Sequence, residues 1–286
     1  MQKTLTFTLN DSQVDEFYKY FQSLGTLTSN TNSYVQWSFK GSNWTAVMYT
    51  SGKLVVQTPD VDFADEINGR VVSQDVFKPH IGSDEVGKGD YFGPLVVCAC
   101  YINENSLKKV KDYGIMDSKN LTDEKMMDIG EKLIEDLEYE VKIIDPRKYA
   151  KLNEEFKNVS IILSKAHVEA ISKLFERVGD DVEFVVVDQF SKSQKRLNDE
   201  YRLSVPLKQF HHAESDVAVA AASIIARYFF LLEFQKMKET YNVKFPLGAT
   251  HVIKFGKSFY KKHGMEGLRD VAKVSFRTTE KIVNSS

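Results

Sequence analysis

The sequence predicts two domains, a small α+β unit followed by a larger α/β domain built on a mixed sheet flanked by helices. Two observations carry that prediction. The first sixty residues read as a strand, a helix and a meander, whereas from His80 onward strands alternate with helices, the pattern of a layered α/β domain. The length of 286 residues also suits about two domains at roughly 150 residues each.

Thr4 to Leu9 alternates polar and apolar residues, so Leu5, Phe7 and Leu9 face a core. Asp11 or Ser12 then caps a helix whose Val14, Phe17, Tyr18 and Phe21 recur on one face. Three β-type runs follow, Tyr34 to Phe39, Trp44 to Tyr49 and Leu54 to Gln57, with turns at Lys40-Gly41-Ser42-Asn43 and Ser51-Gly52. Acid-rich residues with few apolar clusters come next. The expected domains are therefore residues 1–60, a linker at 61–79, and residues 80–286. In the second domain Leu95 to Ile102 and Glu140 to Ile144 read as strands, with a helix from Leu121 to about Leu137 between them. Ser160 to Val178 is a helix, Val182 to Val187 a buried strand, and Asp216 to about Tyr241 a long Ala-rich helix.

The net charge of −2 hides a gradient. Residues 79–235 hold 21 basic and 28 acidic residues, and residues 236–286 hold 11 and 4, which suggests a polyanion contact at the C-terminal end and carboxylate chemistry in the middle. Lys254, Lys257, Lys261 and Lys262 interleave there with Phe255, Phe259 and Tyr260. That mix suits either contact with a nucleic-acid backbone or an amphipathic helix with its aromatics inward. Two cysteines, Cys98 and Cys100, fit a reducing compartment. The N-terminus lacks an apolar signal core, and no stretch reaches the ~20 apolar residues of a membrane span. A cytoplasmic protein without a membrane partner is expected.

The segment Ile81 to Pro94 carries the strongest chemical signal. Asp84 and Glu85 are adjacent carboxylates before a glycine-rich bend, and neighbouring carboxylates beside a buried sheet repel each other unless a cation lies between them. A second carboxylate, Asp188, ends the Val-rich strand, where ligand sites form in open α/β sheets. Glu214 precedes the Ala-rich helix. Four such carboxylates match a hard-cation site for Mg²⁺ or Mn²⁺. In Gly87-Lys88-Gly89 the glycines admit close approach by a ligand and the lysine can meet a phosphate. Lys119 can meet a phosphate or flank a helix start, and His211 and His212 lie close to Glu214 in the sequence.

Asp84-Glu85-Val86-Gly87-Lys88-Gly89-Asp90-Tyr91-Phe92-Gly93-Pro94 resembles the signature of the type 2 ribonucleases H, and its Gly-Asp-Tyr-Phe-Gly-Pro ending resembles the ribonuclease HIII branch. Asp117-Ser118-Lys119-Asn120-Leu121, the strand ending at Asp188, and Ala213-Glu214-Ser215 leading to Ala220 through Arg227 add to the resemblance, which spans about 80–280 in consistent order. It implies a ribonuclease H-like fold behind a TATA-binding-protein-like substrate-binding domain. The activity it implies is endonucleolytic hydrolysis of the RNA strand of RNA/DNA hybrids, leaving 5′-phosphate and 3′-hydroxyl ends. Asp84, Glu85 and Asp188 would hold two divalent metals, Mg²⁺ or Mn²⁺, and Glu214 would be the fourth catalytic carboxylate. Asp216 competes for that role because ribonuclease HII proteins carry an Asp there. Gly87, Lys88, Gly89 and Lys119 would contact the substrate. A monomer needing no protein partner is the expectation. A glycosidase fits less well, since it needs two acids across a sugar cleft and no metal, and a hybrid-binding module with structural carboxylates would be indifferent to their loss.

Overall fold

The computed structural model describes residues 3–9, 11–30, 32–64, 66–67, 77–115, 122–191, 193–210, 213, 216–249 and 251–284. The chain divides into two compact units, Met1–Phe77 and Lys78–Ser286.

In the first unit β1 (Lys3–Thr8) is followed by α1 (Asp11–Leu24), the short β2 (Thr26–Leu27), β3 (Val35–Lys40), β4 (Thr45–Tyr49) and β5 (Lys53–Thr58). The strands form one antiparallel sheet in the order β1-β5-β4-β3-β2. Leu54, Val56 and Thr58 on β5 are buried while Lys53 and Gln57 are exposed, the period-2 pattern of a sheet with one covered face. Phe17 and Phe21 of α1 meet Trp37, Phe39 and Met48 in that core. The turn into β5 uses Gly52 at φ +80°, a conformation that favours glycine. The unit extends past residue 60. Residues 61–64 are helical, Phe63 stacks on Trp44 with ring centroids 5.4 Å apart, and Ala64 and Ile67 are fully buried. Part of the segment expected as linker thus supplies core to the first unit, through apolar residues too widely spaced to register as a periodic run.

The second unit comprises β6 (His80–Val86), β7 (Leu95–Ile102), α2 (Glu104–Asp112), α3 (Asp123–Asp136), β8 (Glu138–Ile144), α4 (Pro146–Phe156), α5 (Val159–Val178), β9 (Phe184–Asp188), α6 (Lys195–Glu200), β10 (Leu207–Phe210), α7 (Val217–Tyr241), α8 (Ile253–Val271) and α9 (Arg277–Val283). Its sheet runs β10-β9-β6-β7-β8. The β10, β9 and β6 strands are mutually parallel, and β7 and β8 continue antiparallel. Every residue of β7 is buried, as expected of a strand covered on both faces. α7 covers one face and α5 the other. Small residues let α7 approach closely: a Cβ at Gly82 of β6 would lie 2.2 Å from Ala218 C and Val219 N. By length and composition α7 could cross a bilayer, and half of that stretch is buried in the unit. The sequence reading, which finds no stretch of membrane-spanning length, overlooks this because polar residues punctuate the helix.

Asp84 and Glu85 do precede the glycine-rich bend, but they lie on β6, a strand the sequence reading does not identify. His80-Ile81-Gly82-Ser83-Asp84-Glu85-Val86 contains few β-formers, yet it is the central strand because β7 and β9 pair with it on both sides.

Candidate active site

Strand pairing brings two of the expected carboxylates together. The parallel register of β6 and β9 runs from His80 opposite Phe184 to Ser83 opposite Val187, and one further step sets Asp84 beside Asp188, on strands roughly 4.8 Å apart. Alternation gives both the same face. Gly82, two residues before Asp84, abuts the start of α7, and Val186, two before Asp188, packs on Val219 of α7. Ser223 of α7 hydrogen-bonds the Asp84 carboxyl, and the Glu85 N–H donates to Asp84 Oδ1 at 2.7 Å. Burial, and then the neighbouring Glu85 carboxylate, push the Asp84 carboxyl up to about 7 against those hydrogen bonds, with a smaller push from Asp188. Asp188 Oδ1 accepts from the Ala213 N–H at 2.9 Å.

Glu85 turns to the opposite face. Its Oε2 lies 3.2 Å from Nε2 of His167 on α5, and its Oε1 lies 3.7 Å from Lys88 Nζ. Lys88 also donates to the Phe190 carbonyl at 2.5 Å, so it bridges the ends of β6 and β9. Gly87 sits at φ +92°, and a Cβ there would lie 2.3 Å from Pro94 O; the tight bend needs a glycine. A Cβ at Gly89 would meet nothing within 4 Å, so packing does not demand glycine there and the space lies open to a ligand.

Glu214, Lys119, His211 and His212 lie outside the described residues. Asp216 caps α7, accepting from Ala218 N at 2.9 Å and Val219 N at 3.2 Å, and its Oδ2 lies 3.0 Å from His80 Nε2. His80 is four residues from Asp84 along β6, roughly 13 Å at strand rise, so Asp216 is engaged away from the Asp84–Asp188 pair.

The Gly-Asp-Tyr-Phe-Gly-Pro segment is a packing anchor. Tyr91 and Phe92 are fully buried, and Gly93, at φ +83°, has no room for a Cβ beside Phe234. Lys273, itself fully buried, donates from Nζ to Asp90 O at 2.9 Å and Gly93 O at 2.7 Å. Burial pushes its ammonium down to about 7, with Asp90 opposing. On α8 Lys254, Lys261 and Lys262 are exposed while Phe259 is buried, so the aromatics go inward and leave the lysines available. A recess of about 590 Å³ bounded by Lys244, His251 and Lys254 has an apolar floor of Phe245 and Phe255.

Sequence reasoning missed His167, Ser223 and Lys273. His167 falls on a helix and Lys273 in a basic tail, so neither stands out by type or spacing. Ser223 lies inside the motif that carries the resemblance, but only packing reveals its bond to Asp84.

Among the described residues no group of three or more His, Cys, Asp or Glu side chains forms a metal cage. The donor set nevertheless fits a hard divalent cation. Two carboxylates stand at adjacent strand ends, and burial, followed by the neighbouring Glu85 carboxylate, raises the affinity of Asp84 for a proton.

A family model described as Ribonuclease HII matches residues 81–279. The chain is 33% identical over 290 residues to a ribonuclease HIII of Protochlamydia amoebophila, covering 96% of this chain and 95% of that one. It is 36% identical over 253 residues to a ribonuclease HIII of Chlamydia pneumoniae, covering 83% and 84%. Among solved structures, Bst-RNase HIII in complex with Mn²⁺ is similar with a TM-score of 0.72 and 25% identity, over 99% of each chain.

Proposed function

The chain belongs to the ribonuclease HII family and is a metal-dependent endoribonuclease acting on the RNA of RNA/DNA hybrids; we propose that it cuts by a two-metal-ion mechanism that leaves 5′-phosphate and 3′-hydroxyl ends. The placement of Asp84 and Asp188 one step beyond the last paired residues, Ser83 and Val187, carries this reading. When bound, two divalent cations would neutralise the phosphodiester, activate the attacking water and stabilise the leaving 3′-oxygen. Asp84, Glu85 and Asp188 are the residues to hold them, as Mg²⁺ or Mn²⁺. Glu214 is the fourth carboxylate in this reading, supported by the tie between Ala213 and Asp188 and by the engagement of Asp216 elsewhere.

Lys88 and the open backbone at Gly89 would meet the RNA strand through phosphates and 2′-hydroxyls, the group that distinguishes RNA from DNA, and Lys119 would add a phosphate contact. The exposed lysines of α8 suit the hybrid backbone. The first unit, an antiparallel sheet backed by α1, would be the TATA-binding-protein-like substrate-binding domain, and the protein would act as a cytoplasmic monomer. The test is to incubate end-labelled hybrid, RNA duplex and DNA duplex with protein in Mg²⁺, Mn²⁺ or EDTA and analyse the product termini. Metal-dependent cutting of the hybrid alone, with ligatable 5′-phosphate ends, is expected. Products bearing 5′-hydroxyl ends would overturn the proposed chemistry.

A further inference from the structure

Glu85 is held from behind by a group that the hydrolysis itself does not require. His167 lies in the middle of α5 among Leu163, Ala166, Ala170 and Ile171 and is fully buried. Placing an imidazole there costs stability unless both nitrogens are hydrogen-bonded, and both are. Nδ1 is 2.8 Å from Ser83 Oγ and Nε2 is 3.2 Å from Glu85 Oε2. Ser83 is within reach of the Cys98 carbonyl at 2.7 Å, and the Phe190 ring stacks on the imidazole with centroids 4.9 Å apart and planes within 3°.

The hydrogen-bond inventory fixes what His167 offers. Ser83 has one hydroxyl proton, directed either to Cys98 O or to Nδ1. A carboxylate only accepts, so in both arrangements the contact with an ionised Glu85 needs the proton on Nε2 and the imidazole donates to Oε2; where the hydroxyl proton goes to Cys98 O, the contact between Nδ1 and Oγ needs a proton on Nδ1 as well. Lys88 stands at the other oxygen, Oε1. Its side chain is about a third exposed whereas that of His167 is fully enclosed, so the two contacts differ in kind: one can be exchanged for another cation and the other is built in.

We propose that His167 is a positioning residue: anchored by Ser83 and stacked on Phe190, it orients Glu85 so that Oε1 is presented to a divalent cation. This rests on the reading of Glu85 as a metal ligand. Partners of ligating side chains commonly govern metal affinity by fixing ligand orientation.

The test is Mn²⁺ binding to the full chain without substrate, read from the electron paramagnetic resonance signal of free Mn²⁺, with melting curves recorded metal-free. His167→Ala is expected to weaken Mn²⁺ binding by about 10- to 100-fold. His167→Gln, whose amide can donate near the position of Nε2, is expected to stay within a few-fold of wild type. Should the alanine variant fail to fold, His167→Asn, too short to reach Glu85, replaces it with the same expected loss. Binding within twofold of wild type in His167→Ala or His167→Asn, while Glu85→Gln weakens it at least tenfold, would overturn the positioning role alone. If Glu85→Gln also binds like wild type, the ligand reading of Glu85 falls and the inference falls with it.

Discussion

The two units build apolar cores of similar character but differ in the polar groups they enclose. In the first, Thr58 Oγ1 accepts from the nearby Asp60 N–H, and Ser38 pairs with Thr28 ten residues away. In the second, Ser83, His167 and Lys273 are completely enclosed and join distant segments, His167 to Ser83 across 84 residues and Lys273 to Gly93 across 180. Enclosed polar groups are costly unless every partner is in place. In the second unit these three side chains gather around the end of β6 and the loop that follows.

Substitutions can break or sharpen that contrast. The largest effect is expected from Asp84→Asn, which should lower kcat on hybrid by about 10³-fold, the several kcal/mol of charge stabilisation that a bound metal supplies. Its effect on folding should have the opposite sign. Asp84 sits near 7 in the folded chain against 3.8 otherwise, so between those pH values the folded state keeps a proton that the unfolded state has lost. Wild-type stability therefore falls on this account as pH rises from about 4 to about 7. Metal-free Asp84→Asn should melt above wild type at pH 8, with the margin shrinking toward pH 4; melting curves at both pH values check this.

Gly82→Ala comes next. Its Cβ would run into the backbone of α7, and about 3 kcal/mol of destabilisation is expected, seen as a lower denaturation midpoint. Gly89→Ala, with open space around it, should melt within about 0.5 kcal/mol of wild type. Removing the first unit is expected to have an effect smaller than that of Gly82→Ala. Because Ile67 and Phe63 belong to its core, the cut should fall at Lys78. The 78–286 chain should keep kcat within a few-fold while KM for long hybrids rises about tenfold, or 1.4 kcal/mol of binding. Unchanged KM would remove the substrate-binding role of the first unit.

Where one physical signal dominates, the sequence was readable. Alternation exposed β1, an unbroken apolar run exposed β7, and Ala-rich composition exposed α7. Asp84, Glu85 and Asp188 were found by residue type and motif, but that Asp84 and Glu85 occupy a strand and face opposite sides of the sheet follows from pairing with β7 and β9, which local propensity does not encode. Glu214 is the sequence's candidate for the fourth carboxylate and Asp216 its competitor; Asp216 is bound to His80 through a contact 136 residues apart. Lys273 looked like one more cation of a basic tail, because burial of a charged side chain is decided by tertiary packing.

The central claim is that the ends of β6 and β9 form the metal site. Crystals of the full chain grown with Mn²⁺ and measured at the manganese absorption edge test it directly. An anomalous peak within coordinating distance of both Asp84 and Asp188, absent in Asp84→Asn crystals, is the predicted result. A peak bound elsewhere, with none at this pair, would contradict it.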